Sequence, residues 1–329
     1  MAMHIPSPSV NGFHIGPLFI HYYGLMYVIG ITLAILITQR RWKAVGGDPS
    51  LVGDVALWAV PAGIIGGRIY FDITTPHDIT PHTWWGVFAL WNGGLGIWGG
   101  VALGAAAGVW RVRRHGASAA LFADAVAPAL LVAQAIGRIG NYFNKELFGG
   151  PTSLPWGLYI PPGYRPAGYL GYTTFQPTFL YELIWDLALA AFLVWLGHHR
   201  KITPPGLFAL YVTGYSAFRI FEESLRIDSS EHFLGLRLNM YIAIILTVAG
   251  AVWFWRSQRH GRAEPATAGG GPAGEAEPQA SAAEATGESS EEPESGQDVP
   301  AEVGAEVGAE RGSAAADTPP AGDAGGHPG

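Results

Sequence analysis

Seven stretches of this chain are apolar for close to the 20 or so residues that a helix needs to cross a hydrocarbon core, and that repetition leaves few architectures open. They lie at 17–38, 51–71, 87–110, 120–140, 177–197, 205–225 and 238–255. Inside a bilayer every backbone N–H and C=O must find its partner within the protein, so segments of this length read as membrane helices. Gly and Pro interrupt several of them, which membrane helices tolerate where neighbours satisfy the freed groups. Composition agrees. Of the 329 residues 49% are hydrophobic and only 14% charged, a balance that suits a multi-span bundle better than a water-soluble domain. The expected fold is an all-α polytopic membrane protein of seven transmembrane helices, with an outward-facing loop cap and a disordered C-terminal tail.

The connections alternate in charge. RRWK at 40–43, RVRR at 111–114, RK at 200–201 and RSQRHGR at 256–262 hold 11 Lys or Arg. The opposite set, 73–86, 141–176 and 226–237, holds Lys145, Arg165, Arg226 and Arg237. The positive-inside rule makes the first set cytoplasmic, so residues 1–16 are expected outside and the tail inside. MAMHIPSPSVNGFHIG has no basic region followed by an apolar core and does not read as a cleavable signal peptide. Residues 17–262 form the expected membrane body, with 18 basic against 12 acidic residues. Residues 263–329 carry 14 of the 26 acidic residues, one arginine and no aromatic residue. Such a segment buries too little apolar surface to offset chain entropy and is expected to be disordered. With no cysteine in the chain, a cysteine nucleophile, disulfides and thiolate metal sites are excluded.

The fourth apolar stretch ends in GRIGNYFNKELFGG, 137–150, which packs an arginine, two asparagines, a lysine and a glutamate into two turns at the outer end. The connection after it, GPTSLPWGLYIPPGYRPAGYLGYTTFQ, is dense in Gly, Pro and Tyr and is expected to fold as a cap on the outer interface. Arg68, Arg138 and Arg219 all fall toward that side. A charge deep in a bilayer costs roughly 2.5–3.5 kcal/mol on insertion scales, so each needs a partner or a purpose beyond snorkelling to the headgroups. On a helix, Tyr215, Arg219, Glu222, Glu223 and Arg226 share one face. Arg219 and Glu223 can also pair structurally one turn apart. Arg138 and Asn141 share a face, with Asn144 and Glu146 following. Tyr181 and Glu182 lie one turn inside the outer boundary, and His21 and Tyr23 open the first stretch.

An outward pocket of this composition suits a phosphate, because guanidinium grips phosphate in a bidentate fork. The abundant phosphate of a membrane is a phospholipid headgroup. No G-x-x-x-x-G-K-[ST] loop and no H-E-x-x-H pair occurs, so nucleotide and zinc chemistry are not expected. Gly96, Gly100 and Gly104 form a ladder that Gly63 and Gly67 repeat, which fits close helix packing or a groove for an acyl chain.

GRIGNYFNKELFGG resembles the signature of the prolipoprotein diacylglyceryl transferase family, close to G-R-x-G-N-[FY]-x-N-x-E-x-x-G. IHYYGLMY, GGRIYF, GGLGIWGG, QPTFLYE and FRIFEESLR continue the similarity in the family's order, over about 17–255. The resemblance implies a seven-span enzyme at the outer leaflet of a bacterial plasma membrane. It would move the diacylglyceryl group of phosphatidylglycerol to the lipobox cysteine thiol of a prolipoprotein, forming a thioether and releasing glycerol phosphate. Arg138 matches the family's lipid-binding arginine, and Arg219 and Glu223 match its F-R-x-x-x-E motif. Tyr215, Asn141 and Glu146 also match. One departure stands out: Trp98 occupies a place where many members have a histidine proposed as general base.

On this reading the partners are phosphatidylglycerol, prolipoproteins and the bilayer, with no nucleic acid, no cofactor and no metal. Arg138 and Arg219 are the expected phosphate clamps, and Glu146 and Glu223 position them or relay a proton. His21 is the substitute base to consider, against a plain hydrogen-bonding role. Asn141, Asn144, Tyr215, Tyr23, Arg68, Glu182 and Arg226 are the expected substrate-binding residues. The rival reading is a transporter or channel for an anionic solute, which should show a polar path to the inner side.

Overall fold

The computed structural model describes residues 4–79, 84–90, 93–228, 232–233 and 235–260. The expected tail, 263–329, lies outside them. Among the described residues there are seven α-helices: α1 Tyr22–Ala44, α2 Ser50–Thr74, α3 Ile97–Arg114, α4 Ala119–Asn144, α5 Thr178–His199, α6 Gly206–Leu225 and α7 Leu238–His260. Five of them, α1, α2, α4, α5 and α7, are long and apolar enough to cross a membrane. The other two are limited for visible reasons. Helix α3 is 18 residues long and ends in three arginines, and α6 carries Arg219, Glu222 and Glu223 in its second half. The exterior of the bundle is rich in exposed large apolar side chains such as Leu57, Ile73, Ile97 and Ile245, as a surface facing lipid requires. This is a membrane protein built mostly of helix.

Two helix starts differ from the sequence expectation. Residues 18–21 form a strand, β2 (Leu18–His21), paired antiparallel with β1 (Gly12–Ile15), so the first helix begins at Tyr22. Gly16 makes the turn with a φ of 58°, followed by Pro17, whose missing N–H and fixed φ end any helix reaching back. The third apolar stretch was expected from residue 87, but its helix begins at Ile97. Ahead of it, the carbonyls of Gly86, Val87, Gly93 and Gly94 accept from Arg68 instead. Gly93 and Gly94 both adopt left-handed φ, 81° and 82°, which two residues bearing a Cβ would resist.

Pairs of helices hold the body together, chiefly α2 on α3, α1 on α4, α6 on α7 and α4 on α5. The glycine ladder lies in the first of these contacts. A Cβ on Gly66 would come within 2.3 Å of the Gly99 carbonyl, and one on Gly99 within 2.1 Å of the Gly66 carbonyl. Close packing is therefore what the glycines provide, and the tightest pair is Gly66–Gly99. Toward the start of α4, Pro128 leaves the Asp124 carbonyl without its helical donor. Arg41 fills the gap, its Nη2 donating to Asp124 O at 3.3 Å and its Nε to Ala125 O at 3.0 Å. The Asp124 carboxylate in turn accepts from Phe208 N at 2.8 Å, satisfying an orphan donor in the first turn of α6. One apolar cluster, around Leu131, Leu193 and Leu207, fills the space between α4, α5 and α6.

Between α4 and α5 the chain forms a small body with its own core of Phe148, Leu158, Ile160 and Phe175. Two short strands pair there, β3 (Leu158–Tyr159) and β4 (Thr174–Phe175). The N-terminal segment joins it through Ile5, whose N–H donates to Gly157 O at 2.9 Å, and packs Ile5 on the same core. A last hairpin, β5 (His232–Phe233) with β6 (Leu236–Arg237), leads into α7.

Candidate active site

The signature stretch closes α4 and turns back on itself. Lys145 caps the helix with a φ of 56°, and Leu147 follows at 57°, a region that residues with a Cβ seldom occupy outside functional turns. These two left-handed residues aim Glu146 back at the helix it has just left. Its Oε1 accepts from Asn141 Nδ2 at 2.8 Å and from Asn144 Nδ2 at 3.3 Å. The loop then passes between the start of α5 and the end of α6, with Gly149 N donating to Gln176 O at 2.9 Å and Gly150 N to Leu225 O at 2.8 Å. Only glycine fits at 149, where a Cβ would meet Gln176 Cβ at 2.8 Å and Leu225 O at 2.9 Å.

Arg138 stands one turn below, facing α5 and α6. Its Nη2 donates to Glu182 Oε1 at 2.5 Å and reaches the Tyr215 hydroxyl at 3.4 Å, while Nη1 donates to Asn141 Oδ1 at 3.3 Å. Glu182 is the hub. It is fully buried and accepts from Arg138, from Tyr215 at 3.0 Å and from Arg219 Nη1 at 3.3 Å. Arg219 also pairs with Glu222 and Glu223 on its own helix. Glu223 holds Arg237 at 2.8 Å and lies 3.7 Å from Arg226, and Asp228 pairs with Arg226 at 2.7 Å and with Arg237 at 3.0 Å. Thus Glu146, Asn144, Asn141, Arg138, Tyr215, Glu182, Arg219, Glu223 and Arg226 form one continuous network. A carboxylate this deep would be costly without such partners. The Arg138 and Arg219 side chains keep some exposure that the glutamate between them lacks: 17% and 16%, against 0% for Glu182.

Three other candidates stand outside the network. Tyr23 lies near it, its ring against Gly140 of α4, but its hydroxyl bonds to that of Tyr27 at 3.1 Å. His21 is exposed at the end of β2, its ring edge-on to Phe19 at 4.7 Å. Arg68 spends its donors on backbone ahead of α3, donating to Gly86 O, Val87 O and Gly93 O, each at 2.7 Å, and it forms an ion pair with Asp72 of its own helix at 3.1 Å. Trp98 lies in the first turn of α3 and is 39% exposed.

Sequence reasoning did not single out Arg237 and Asp228, which complete the network from the connection between α6 and α7. Nor did it assign a role to Glu222 or to Asp186. Asp186 lies one turn below Glu182, fully buried, with neither carboxylate oxygen hydrogen-bonded among the described residues. The signal for it was available, since Glu182 and Asp186 share a face at i, i+4 of an otherwise apolar helix.

A family model described as prolipoprotein diacylglyceryl transferase matches residues 11–256. Curated relatives agree. The chain is 47% identical over 274 residues to the phosphatidylglycerol–prolipoprotein diacylglyceryl transferase of Bifidobacterium adolescentis, covering 79% of this chain and 81% of the relative. It is 47% identical over 265 residues to that of Cutibacterium acnes, covering 79% and 89%. It is 48% identical over 255 residues to that of Frankia alni, covering 75% and 66%. The chain belongs to the prolipoprotein diacylglyceryl transferase family.

Proposed function

We propose that this protein transfers the diacylglyceryl group of phosphatidylglycerol to the lipobox cysteine thiol of prolipoproteins. A thioether forms and glycerol phosphate leaves. Family membership supports the reading, and the single observation that carries it to particular residues is the pair of partly exposed arginines, Arg138 and Arg219, held around the buried Glu182. In the reaction the thiolate attacks the terminal glyceryl carbon and the carbon–oxygen bond breaks toward phosphate. Negative charge grows on the leaving phosphate, where fixed guanidiniums in a water-poor site stabilise it most. The same positive charge favours the incoming thiolate over the thiol.

Arg138 and Arg219 are assigned as the clamps, Asn141, Asn144 and Tyr215 as orienting groups, and Glu146, Glu182 and Glu223 as carboxylates that position them. Arg226 supports Glu223. Arg68 is read as the anchor of the 86–94 loop. His21, exposed and packed on Phe19, is assigned a packing and hydrogen-bonding role rather than proton transfer. Against a conduit for anions stands the apolar cluster of Leu131, Leu193 and Leu207 below the arginines. Purified protein in lipid nanodiscs containing phosphatidylglycerol should add a diacylglyceryl mass to a lipobox peptide and leave the cysteine-to-serine peptide unmodified. No product with active preparations of a relative as control would overturn the assignment.

The proposal includes a topology of seven spans, with α3 and α6 crossing inside the bundle, the site at the outer leaflet and the 145–177 body capping it. Residues 263–329 form a cytoplasmic extension that catalysis does not need. A reporter fused after residue 262 in place of the tail tests both points. Transferase activity should persist with a cytoplasm-active reporter, and an exterior-active one would reverse the orientation.

A further inference from the structure

Helix α3 ends in RVRR, and its three arginines are not used alike. Arg111 pairs with Asp54 near the start of α2, its Nη2 donating at 3.1 Å, and His115 meets the same carboxylate at 2.8 Å. This is the end of the bundle where Arg41 of α1 reaches the start of α4, the opposite end of α4 from Arg138 and Asn141. Two other carboxylates lie there. Asp48 accepts from Ser50 N at 2.9 Å and Asp124 from Phe208 N at 2.8 Å. Among the described residues, no carboxylate forms an ion pair with Arg113 or Arg114.

Those two arginines line a groove of about 450 Å³ together with Ala106, Val109 and Trp110. The groove follows from how α3 places its small residues. Its glycines turn toward α2: a Cβ on Gly104 would lie 3.2 Å from the Ala59 carbonyl, and one on Gly108 3.6 Å from Val55. The other side of the helix offers Ala106, whose single methyl leaves space, and Ala106, Val109 and Trp110 are all exposed. Trp110 forms a wall, held edge-on by Trp58 of α2 with ring centroids 5.6 Å apart. The Arg114 guanidinium lies over its face at 5.7 Å.

An apolar floor that leads to two unbalanced guanidiniums beside a tryptophan matches a phospholipid at the membrane interface, with a chain on Ala106 and Val109 and the phosphate at the arginines. Charge sets the class of lipid. Two guanidiniums without carboxylates favour a headgroup of net negative charge. A quaternary ammonium would seek the Trp110 face, which Arg114 already covers. We propose that Ala106, Val109, Trp110, Arg113 and Arg114 bind one anionic phospholipid, at the end of the bundle away from the Arg138–Glu182 network. The site needs nothing from the transferase reading, and its lipid is held rather than consumed.

Native mass spectrometry of the purified full chain, titrated with phosphatidylglycerol or with phosphatidylcholine of the same acyl chains, counts the lipids and ranks their affinities. Wild-type protein should hold one phosphatidylglycerol more tightly than any phosphatidylcholine. In Arg113→Gln/Arg114→Gln the dissociation constant of that lipid should rise roughly fivefold per arginine, or roughly thirtyfold for the pair. Ala106→Phe fills the floor with both charges kept, and should weaken the same lipid at least several-fold. Arg40→Gln/Lys43→Gln removes two charges from the end of α1, outside the groove, and should leave it bound. So should Arg138→Lys, which alters the other end. Wild-type affinity in either groove variant would overturn the site, as would equal loss in the α1 pair or in Arg138→Lys, or phosphatidylcholine held as tightly as phosphatidylglycerol. If one groove variant cannot be recovered folded, the other decides.

Discussion

Replacing Arg138 by lysine keeps a positive charge at the centre of the network while removing the planar fork, so it isolates what geometry contributes. Arg138 uses two nitrogens on three partners: Glu182 at 2.5 Å, Tyr215 at 3.4 Å and Asn141 at 3.3 Å. A lysine ammonium is a single point and satisfies the buried Glu182 or the Asn141–Glu146 arm, but not both. The donors left over for a phosphate fall with the change from five N–H groups to three. Loss of one or two charge-assisted hydrogen bonds to developing negative charge costs about 3–4 kcal/mol, or 10²–10³ in rate. Because charge is retained, the lipid KM should rise far less than kcat falls. The assay is initial-rate thioether formation with phosphatidylglycerol vesicles and a lipobox peptide, with helicity and melting checked on the same preparation. Activity of Arg138→Lys within threefold of wild type would refute the bidentate clamp.

Three other outcomes follow from the same structure. Trp98→Phe should retain activity within a few-fold, since it removes only an indole N–H from a half-exposed side chain; an inactive but folded variant would assign Trp98 a chemical role. Gly66→Leu should lower the melting temperature or prevent insertion, because even its Cβ would fall 2.3 Å from the Gly99 carbonyl, and an unshifted melt would mean that α2 and α3 separate at little cost. Asp228 lies beyond the end of α6; burial raises its carboxyl, but Arg226 and Arg237 outweigh burial and hold it below the usual carboxylate range. Stabilisation by a carboxylate depressed in the folded state is present above its unfolded value, about 3.9, and is lost as pH falls through the folded value. Asp228→Asn should therefore melt lower than wild type at pH 7, with the gap narrowing below about pH 4. A gap that is constant with pH would remove the ionic role.

Much of this was legible in the residues because membrane helices follow from length and hydropathy alone. All seven apolar stretches contain a helix, and the network around Arg138 and Arg219 could be assembled from faces at i, i+4. The errors have local causes. Residues 87–96 are apolar enough to pass as the start of a span, but Gly93 and Gly94 are left-handed and their carbonyls, with that of Val87, accept from Arg68 instead of a helical donor. Hydropathy does not register that competition for backbone. Residues 18–21 pair as a strand because Pro17 bars the helix, a turn signal that the apolar count outweighed. Arg237 escaped notice because its partners, Glu223 and Asp228, lie 14 and 9 residues away, across a hairpin. Arg68 was grouped with the site by depth, yet depth does not say what a guanidinium will bond, and backbone carbonyls served it as well as a ligand.

The transfer itself can be tested by counting both products of one incubation. Purified protein, phosphatidylglycerol labelled in its headgroup and a lipobox peptide are combined, and thioether peptide and released glycerol phosphate are quantified together. Attack at the glyceryl carbon with phosphate departing predicts one glycerol phosphate per thioether, with both falling together in Arg219→Gln. A peptide modified by a fatty acyl chain, or modified with no glycerol phosphate released, would contradict the account.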